Sequence, residues 1–280
     1  MKKYLQLIRI KHYIKNFLIF LPMVCANIVT VNNTTKCILA FLSFSFASSF
    51  IYIINDVRDI EKDKLHPTKK KRPLPSGMIK KNVALVIAFI LLVLSITITV
   101  FIQKQALTIS LLILFTYMLI NILYSFGLKN IAILDVVLLA TGFVLRVYYG
   151  ASIVNVTVSD WLFLTIMSAS LFMGLGKRKK ELVKNKNVRS VLAEYNESFL
   201  DKFQYVTLSL TLVFYSLWAI EQSTKYLVFT DVLLMVIFMK YSLLIEKSDE
   251  GDPTTILYQD KFLLILCIIY GLAMLYLMVI

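Results

Sequence analysis

Long apolar runs recur along the whole chain and set the strongest constraint on its fold. A helix needs about 17–25 predominantly apolar residues to cross the hydrocarbon core of a bilayer. Apolar residues make up 59% of this chain, which exceeds their share in soluble domains. We predict nine membrane-spanning segments: 17–31, 36–54, 82–102, 106–126, 131–150, 158–176, 204–221, 226–245 and 262–280.

The apolar runs are continuous and lack the alternation of polar and apolar residues that is typical of membrane β-strands. Only helices and closed barrels satisfy their backbone hydrogen-bonding groups in hydrocarbon. The sequence therefore predicts an all-α polytopic membrane bundle of about nine transmembrane helices. We expect residues 1–280 to form a single transmembrane domain, because no low-complexity linker divides them.

The net charge of +13 is explained mainly by orientation in the membrane. With a cytoplasmic N-terminus, only Lys36, Lys104 and Lys225 among the basic residues fall in the opposite loops, as the positive-inside rule predicts. We expect an integral protein of the inner (cytoplasmic) membrane. A nucleic-acid partner is not expected, because no fold that reads nucleic acid accompanies the charge.

Two polar loops, about 56–81 and 177–203, are distinguished by their length and their many ionisable residues. Both fall on the predicted cytoplasmic side. In the first loop, Asp56, Asp59 and Asp63 share a face if the preceding helix continues to Asp63, because they are spaced three and four residues apart. Carboxylates that converge repel each other unless a cation lies among them, and Mg²⁺ prefers carboxylate, phosphate and water oxygens.

Four consecutive basic residues, 69–72, follow the acidic cluster within ten residues. Carboxylates for a metal beside cations for phosphate oxygens are what a phosphoryl-bearing substrate requires. The loop therefore indicates a magnesium–diphosphate site that faces the cytoplasm. The alternative is a solvated helix end in which Arg58 and Lys62 pair with the carboxylates.

The acidic loop contains a long motif, Asn-Asp-x-x-Asp-x-x-x-Asp, which is followed by Arg-Pro-Leu-Pro-Ser-Gly at 72–77. This string resembles the first signature of the UbiA superfamily of intramembrane transferases. The resemblance implies a nine-helix fold with the N-terminus inside. It also implies that Asn55, Asp56, Asp59 and Asp63 hold Mg²⁺ and, through it, the leaving diphosphate, with the three aspartates as the catalytic residues.

The loop after the sixth predicted helix departs from the usual pattern of the superfamily. Most members transfer an isoprenyl group from its diphosphate to an aromatic acceptor and carry a second acidic motif in this loop. Here the loop opens Gly-Lys-Arg-Lys-Lys-Glu at 176–181, with one carboxylate among cations. The loop is therefore suited to bind an anion directly.

Four short motifs are similar to one branch of the superfamily, the decaprenyl-phosphate phosphoribosyltransferases. This resemblance implies transfer of 5-phosphoribose from phosphoribosyl diphosphate to a polyprenyl phosphate, with release of diphosphate. Three anionic groups would then share one cavity, so fixed cations are needed besides one Mg²⁺. The motifs are Lys177-Arg178-x-x-Glu181, His66-Pro67-x-Lys69, Lys15-Asn16 and Leu145-Arg146.

Ten residues are candidates for substrate binding. Arginine suits phosphate oxygens as a planar fork and lysine as a point charge, and a charge inside a span is costly and by default functional. The structural alternatives are positive-inside anchoring, a salt bridge at a helix end and snorkelling to the interface. The candidates are Asn55, Lys69, Arg72, Lys177, Arg178, Glu181, Lys15, Asn16, Tyr124 and Arg146.

The sequence leaves two other functions open. An ordinary UbiA-type prenyltransferase would move an isoprenyl group to an aromatic acceptor, but it would be expected to carry the second acidic cluster. A transporter or lipid-binding protein would favour ionisable residues near mid-membrane, whereas here they cluster at one interface. A homo-oligomer is compatible with the sequence, which does not determine the oligomeric state.

Overall fold

A computed structural model of the chain describes residues 2–65, 69–184, 190–222, 224–247 and 251–279. Within these ranges the regular structure is helical and contains no β-strand, which confirms the all-α prediction. His66 and Pro67 of the sequence motif lie outside the described residues.

The described residues form twelve α-helices joined by 3-10 helices and short turns. The α-helices are α1 (Lys2–Leu7), α2 (Leu21–Cys25), α3 (Val31–Arg58), α4 (Ile60–Leu65), α5 (Lys81–Ile102), α6 (Leu107–Phe126), α7 (Leu134–Val154), α8 (Asp160–Lys184), α9 (Glu197–Glu221), α10 (Thr230–Lys247), α11 (Pro253–Gln259) and α12 (Lys261–Val279). The 3-10 helices are Ile10–Phe20, Lys69–Lys71, Leu128–Asn130, Ser190–Glu194 and Lys225–Phe229.

Seven helices are long and apolar enough to cross a membrane, counted over the residues that the structure describes. They are α3, α5, α6, α7, α9, the segment Tyr226–Lys247 that contains α10, and Lys261–Met278 within α12. These helices make the chain an integral membrane protein, and they match seven of the nine predicted segments. The predicted count of nine spans is not confirmed, and the orientation of the N-terminus remains a prediction.

The two remaining predicted segments are 17–31 and 158–176. The prediction of one continuous span over 17–31 is wrong, because a 3-10 helix runs to Phe20 and α2 then ends at Cys25. Segment 158–176 lies almost entirely within α8, as predicted for a helix. This helix has an acidic first turn and a run of basic residues at 177–180, so its apolar portion is shorter than that of the seven spans.

The chain divides into two compact units. The first unit comprises Met1–Leu21, Thr30–Phe126 and Leu145–Val156, and the second comprises Pro22–Val29, Gly127–Val144 and Thr157–Ile280. The predicted acidic loop lies in the first unit, and the predicted basic loop lies in the second.

In the first unit, an apolar cluster fixes α1 and the 72–79 segment against the C-terminal part of α3. Leu7 of α1, Ile53 of α3 and Leu74 are all buried in this cluster, together with alanines of α5. Deeper in α3, the hydroxyl of Ser43 donates to the backbone carbonyl of Ser95 in α5 at 2.8 Å. Such small residues let membrane helices approach closely, so the middle of α3 packs closely against α5.

In the second unit, α8 packs extensively against α9. Leu182 near the end of α8 is buried together with Val191 and Leu192 of the following 3-10 helix and Leu200 of α9. This packing holds the C-terminal part of α8, which carries the basic run, against the following 3-10 helix and α9.

Candidate functional site

The carboxylates of the predicted acidic cluster sit where α3 gives way to α4. Asp56 lies in the last turn of α3, and α3 ends at Arg58. Asp59 adopts φ −91° and ψ 10°, outside helical geometry, and α4 begins at Ile60. The helix therefore does not run unbroken to Asp63, which corrects the condition on which the shared face was predicted.

Asp56 and Asp63 nevertheless converge on one positive group. Nη1 of Arg72 donates to Oδ1 of Asp56 at 3.1 Å and to Oδ2 of Asp63 at 2.8 Å. The two aspartates are 2% and 4% exposed. The Nζ of Lys69 lies 3.9 Å from Oδ1 of Asp63, so the structure brings four of the predicted residues together.

Arg9, which is not among the predicted site residues, completes this cluster. Its Nη2 donates to Oδ1 of Asp56 at 2.5 Å, and its guanidinium lies 4.7 Å from the centroid of the Tyr52 ring. Arg9 adopts a left-handed backbone, with φ 54° and ψ 48°, which costs a non-glycine residue on the order of 1 kcal/mol. No local motif marks this position, and its charge was explained by orientation.

The carboxylates suit a divalent ion held partly by substrate. Among the described residues, no group of three or more His, Cys, Asp and Glu side chains could hold a metal ion. However, Oδ1 of Asp56 and Oδ2 of Asp63 both bond the same nitrogen of Arg72, so a cationic atom already occupies the point between them. Mg²⁺ in phosphoryl-transfer sites is commonly held by one or two carboxylates together with phosphate and water, and this donor set fits that use.

Asn55 and Asp59 flank this pair in sequence, and both are half-buried. The backbone carbonyl of Asn55 accepts from the amide of Asp59 at 3.0 Å, and the carbonyl of Asp59 accepts from the amide of Asp63 at 2.8 Å. These bonds keep the chain close to a helical path across the break. The metal-binding role of Asn55 and Asp59 stays a prediction.

Asn16 and Arg146 meet inside the first unit although they are 130 residues apart in sequence. Nε of Arg146 donates to Oδ1 of Asn16 at 2.8 Å, and Nη2 donates to the hydroxyl of Tyr117 at 3.1 Å. The guanidinium also lies 5.2 Å from the centroid of the Phe44 ring. Arg146 is buried, so these contacts favour an inward position over the snorkelling alternative.

A glycine one turn further along α7 lets this contact form. A Cβ on Gly150 would overlap the backbone of Ile19 in the 3-10 helix that carries Asn16. Only a residue without a side chain permits this close approach. Lys15, in the same 3-10 helix, and Tyr124, in the last turn of α6, are half-buried, and their predicted roles stay predictions.

In the second unit, Arg178 is enclosed by protein groups. Its side chain is 0% exposed, its Nε donates to Oδ2 of Asp135 at 2.5 Å, and its Nη1 donates to Oε2 of Glu181 at 2.5 Å. Glu181 thus orients Arg178, as its spacing predicted. The carboxylates neutralise the guanidinium, which favours the alternative interpretation of a helix-end salt bridge over direct contact with a substrate phosphate.

Tyr195 closes the enclosure around Asp135. Its hydroxyl donates to Oδ1 of Asp135 at 2.6 Å and accepts from the backbone amide of Ile133 at 2.6 Å. Burial raises the pKa of Tyr195 above its ordinary value, and the hydrogen bond to Asp135 raises that pKa further. The phenol therefore stays protonated and remains a donor to the buried carboxylate.

The neighbouring lysines of the basic loop also face oxygen atoms of the protein. The Nζ of Lys177 lies 3.6 Å from Oδ1 of Asp252, and this side chain is half-buried. The Nζ of Lys179 lies 2.7 Å from Oδ1 of Asp201 and 2.5 Å from Oε1 of Glu246. These carboxylates are distant in sequence, so the run at 177–180 looked more open to an external anion than it is.

The sequence of this chain is similar to proteins of one known family. The sequence model of the UbiA prenyltransferase family matches residues 17–266. A decaprenyl-phosphate phosphoribosyltransferase of Mycolicibacterium smegmatis is 29% identical over 92% of this chain and 87% of the relative. The protein of the same name from Mycobacterium tuberculosis is 28% identical over 93% of this chain and 89% of the relative.

The fold also matches a solved structure. A UbiA homolog from Archaeoglobus fulgidus, bound to GPP and Mg²⁺, superposes with a TM-score of 0.74, covers 98% of this chain and 99% of that chain, and is 20% identical. This likeness concerns the fold. Because the family model spans most of the sequence, the chain belongs to the UbiA prenyltransferase family and is a membrane-embedded transferase.

Proposed function

We propose that the chain transfers 5-phosphoribose from phosphoribosyl diphosphate to a polyprenyl phosphate, with release of diphosphate and with Mg²⁺ as cofactor. The observation that carries the proposal is the match to decaprenyl-phosphate phosphoribosyltransferases over more than nine-tenths of the chain. The first unit supports it with two buried carboxylates beside Arg9, Lys69 and Arg72.

The chemistry required is the exchange of one bond at C1 of the ribose. An oxygen of the lipid phosphate attacks C1, the bond from C1 to the diphosphate oxygen breaks, and the diphosphate leaves with the electron pair. The attacking oxygen is already anionic, so no strong general base is needed. Charge that develops on the leaving group must be stabilised, and fixed cations aimed at it make the largest contribution.

Asp56 and Asp63 would hold Mg²⁺, with Asn55 and Asp59 as the further ligands that the family motif implies. The bound ion supplies positive charge to the leaving diphosphate. Arg72 and Lys69 would then turn from the carboxylates to phosphate oxygens, Arg72 as a fork that can bond two of them. Lys15, Asn16, Tyr124 and Arg146 are the further substrate-binding residues that we propose in the first unit. Lys177 is a separate candidate in the second unit.

The proposed function requires a location in the cell and an orientation of the chain in the membrane. We place the protein in the inner (cytoplasmic) membrane, with its N-terminus and the loops at 56–81 and 177–203 on the cytoplasmic side. The distribution of basic residues supports this. Residues 1–280 would act as one transferase domain of nine spans, in which the interrupted helical segment 10–25, in place of the predicted continuous span over 17–31, and α8 supply the two beyond the seven described.

One experiment tests the reaction. The protein, purified in detergent with Mg²⁺, is offered labelled phosphoribosyl diphosphate with polyprenyl phosphate and, separately, an isoprenyl diphosphate with 4-hydroxybenzoate. If the proposal is correct, the first reaction gives both labelled lipid and free diphosphate, and the second reaction gives no product. Product in the second reaction alone would overturn it in favour of an ordinary prenyltransferase.

A further inference from the structure

A cavity of about 530 Å³ opens beside Asp56 in the first unit. Five cationic side chains line it together with that one carboxylate: Lys2, Arg9, Lys11, Lys71 and Arg72. Its volume falls within the usual range for small-molecule sites, about 300–1,000 Å³. The excess of positive charge makes an anion the ligand that this cavity is built to take.

The cavity is continuous with the carboxylate cluster. Arg9 and Arg72 line the cavity, and both also bond Oδ1 of Asp56. An anionic group in the cavity would therefore be held by the two arginines whose other partner is the proposed Mg²⁺-binding carboxylate. A ligand with two separated phosphoryl groups, or two ligands with one each, would fit this arrangement.

Arg9 lines the cavity with its backbone in a strained conformation. It is the turning point between α1 and the following 3-10 helix, and its backbone is left-handed. A strained backbone at a non-glycine residue persists when the surrounding contacts require it. Here the left-handed backbone places the guanidinium where it contacts Asp56 and the Tyr52 ring and lines the cavity.

The exposed residues that line the cavity indicate which kind of anion it binds. Lys2, Lys11 and Lys71 are exposed at the cavity, where they draw an anion from solution. Leu5 and Ile10 also line the cavity and are exposed, so part of its wall is apolar. A phosphate on a carbon chain or sugar suits such a wall better than a bare inorganic ion does.

We propose that this cavity binds a phosphate monoester, with Arg9 as its principal recognition residue. The inference rests on the proposed function, which supplies two such groups: the 5-phosphate of the donor and the phosphate of the polyprenyl acceptor. Both present the same dianionic group to Arg9. The two sources differ in what is attached, a ribose in one case and a long apolar chain in the other.

The test measures binding and transfer with the full chain in detergent. Ribose 5-phosphate binding is measured by calorimetry without Mg²⁺, and KM is measured for each substrate. The variants are Arg9→Gln and, as a second change that leaves the ion pair between Arg9 and Asp56 in place, Lys2→Gln/Lys11→Gln. The matched control, Lys3→Gln/Lys64→Gln, removes two lysines of the first unit that do not line the cavity.

If the cavity takes the donor, both cavity variants weaken ribose 5-phosphate binding and raise the KM for phosphoribosyl diphosphate by about tenfold or more. If it takes the acceptor, ribose 5-phosphate binding is unchanged and the KM for polyprenyl phosphate rises instead. Either result supports the proposal, provided that the control variant behaves like the natural sequence.

Unchanged binding and unchanged KM values in both cavity variants would overturn the proposal while leaving the reaction intact. Failure of the reaction is a separate result. A natural chain that binds ribose 5-phosphate through the cavity, but transfers no phosphoribose, supports the cavity and rejects the proposed function.

Discussion

The first and second units each contain an arginine that bridges two carboxylates, yet the two arginines differ in exposure. Arg72 joins Asp56 and Asp63 and is 31% exposed, whereas Arg178 joins Asp135 and Glu181 and is 0% exposed. A partly exposed ion pair can exchange partners with an incoming ion, because water stabilises the intermediate arrangements. A fully buried pair cannot do so without a large desolvation cost. This difference in exposure is why we propose a binding role for the cluster in the first unit and a structural role for the cluster in the second.

The largest expected effect is on stability in the second unit. Arg178→Met would leave Asp135 buried without its guanidinium partner, and breaking such a pair costs about 3–5 kcal/mol of unfolding free energy. Denaturant titration of the protein in detergent measures this loss, with Lys184→Met, an exposed change in the same helix, as the control. Full stability combined with a higher KM for a substrate would contradict a structural role and would mean that Arg178 belongs to the binding site.

The next effect is on catalysis in the first unit. Asp56→Asn keeps the size of the side chain but removes the charge that would hold Mg²⁺, so we expect transfer to fall by about 10²–10³-fold. Because the partners Arg9 and Arg72 are partly exposed, the midpoint of thermal unfolding should change far less than for Arg178→Met. Transfer of labelled phosphoribose to lipid is the measurement, and an unchanged rate would count against the metal assignment.

Tyr195→Phe tests whether the enclosure around Asp135 in the second unit is structural. It removes one hydrogen bond to Asp135 and leaves the amide of Ile133 without its hydroxyl partner, at an expected cost of about 1–3 kcal/mol. The free energy of unfolding should fall while KM for both substrates stays the same. A selective rise in one KM would show that the enclosure around Asp135 acts on substrate.

Arg72→Lys gives the smallest expected effect. A lysine keeps the charge but cannot present several donors in a planar fork, so we expect about a tenfold loss in kcat/KM, which corresponds to about 1.4 kcal/mol. The kinetics are compared with those of Lys70→Arg, which makes the opposite exchange at an exposed neighbour. A rate equal to that of the natural sequence would mean that Arg72 acts only as a point charge.

Much of the fold was predictable because bilayer thickness translates directly into sequence length. Seven of the nine apolar runs coincide with helices long enough to span. The prediction of a continuous span over 17–31 was wrong because apolar composition does not indicate that a 3-10 helix ends at Phe20 or that α2 ends at Cys25. Hydrophobicity predicts where a chain prefers lipid, whereas these local backbone choices depend on tertiary packing.

The candidate site was predictable where its residues are neighbours in sequence. The spacing of Asp56 and Asp63 predicted that these carboxylates converge, although the unbroken helix assumed for that prediction is interrupted at Asp59. The nearby basic run was predicted to meet phosphate oxygens, and the contact of Arg72 with both carboxylates was not predicted. The contact of Asn16 with Arg146 and that of Arg178 with Asp135 join distant parts of the chain. No single-sequence pattern specifies such partners, which is why the basic loop looked more available than it is.

The contact between Asn16 and Arg146 depends on the absence of a side chain at Gly150. Arg146 and Gly150 are four residues apart in α7 and so face the same direction, and the backbone of Ile19 occupies the space that a methyl group on Gly150 would fill. The separation between α7 and the 3-10 helix is thus set by the smallest side chain at their crossing. Any larger residue there would act as a wedge and lengthen the 2.8 Å bond between the guanidinium and the amide.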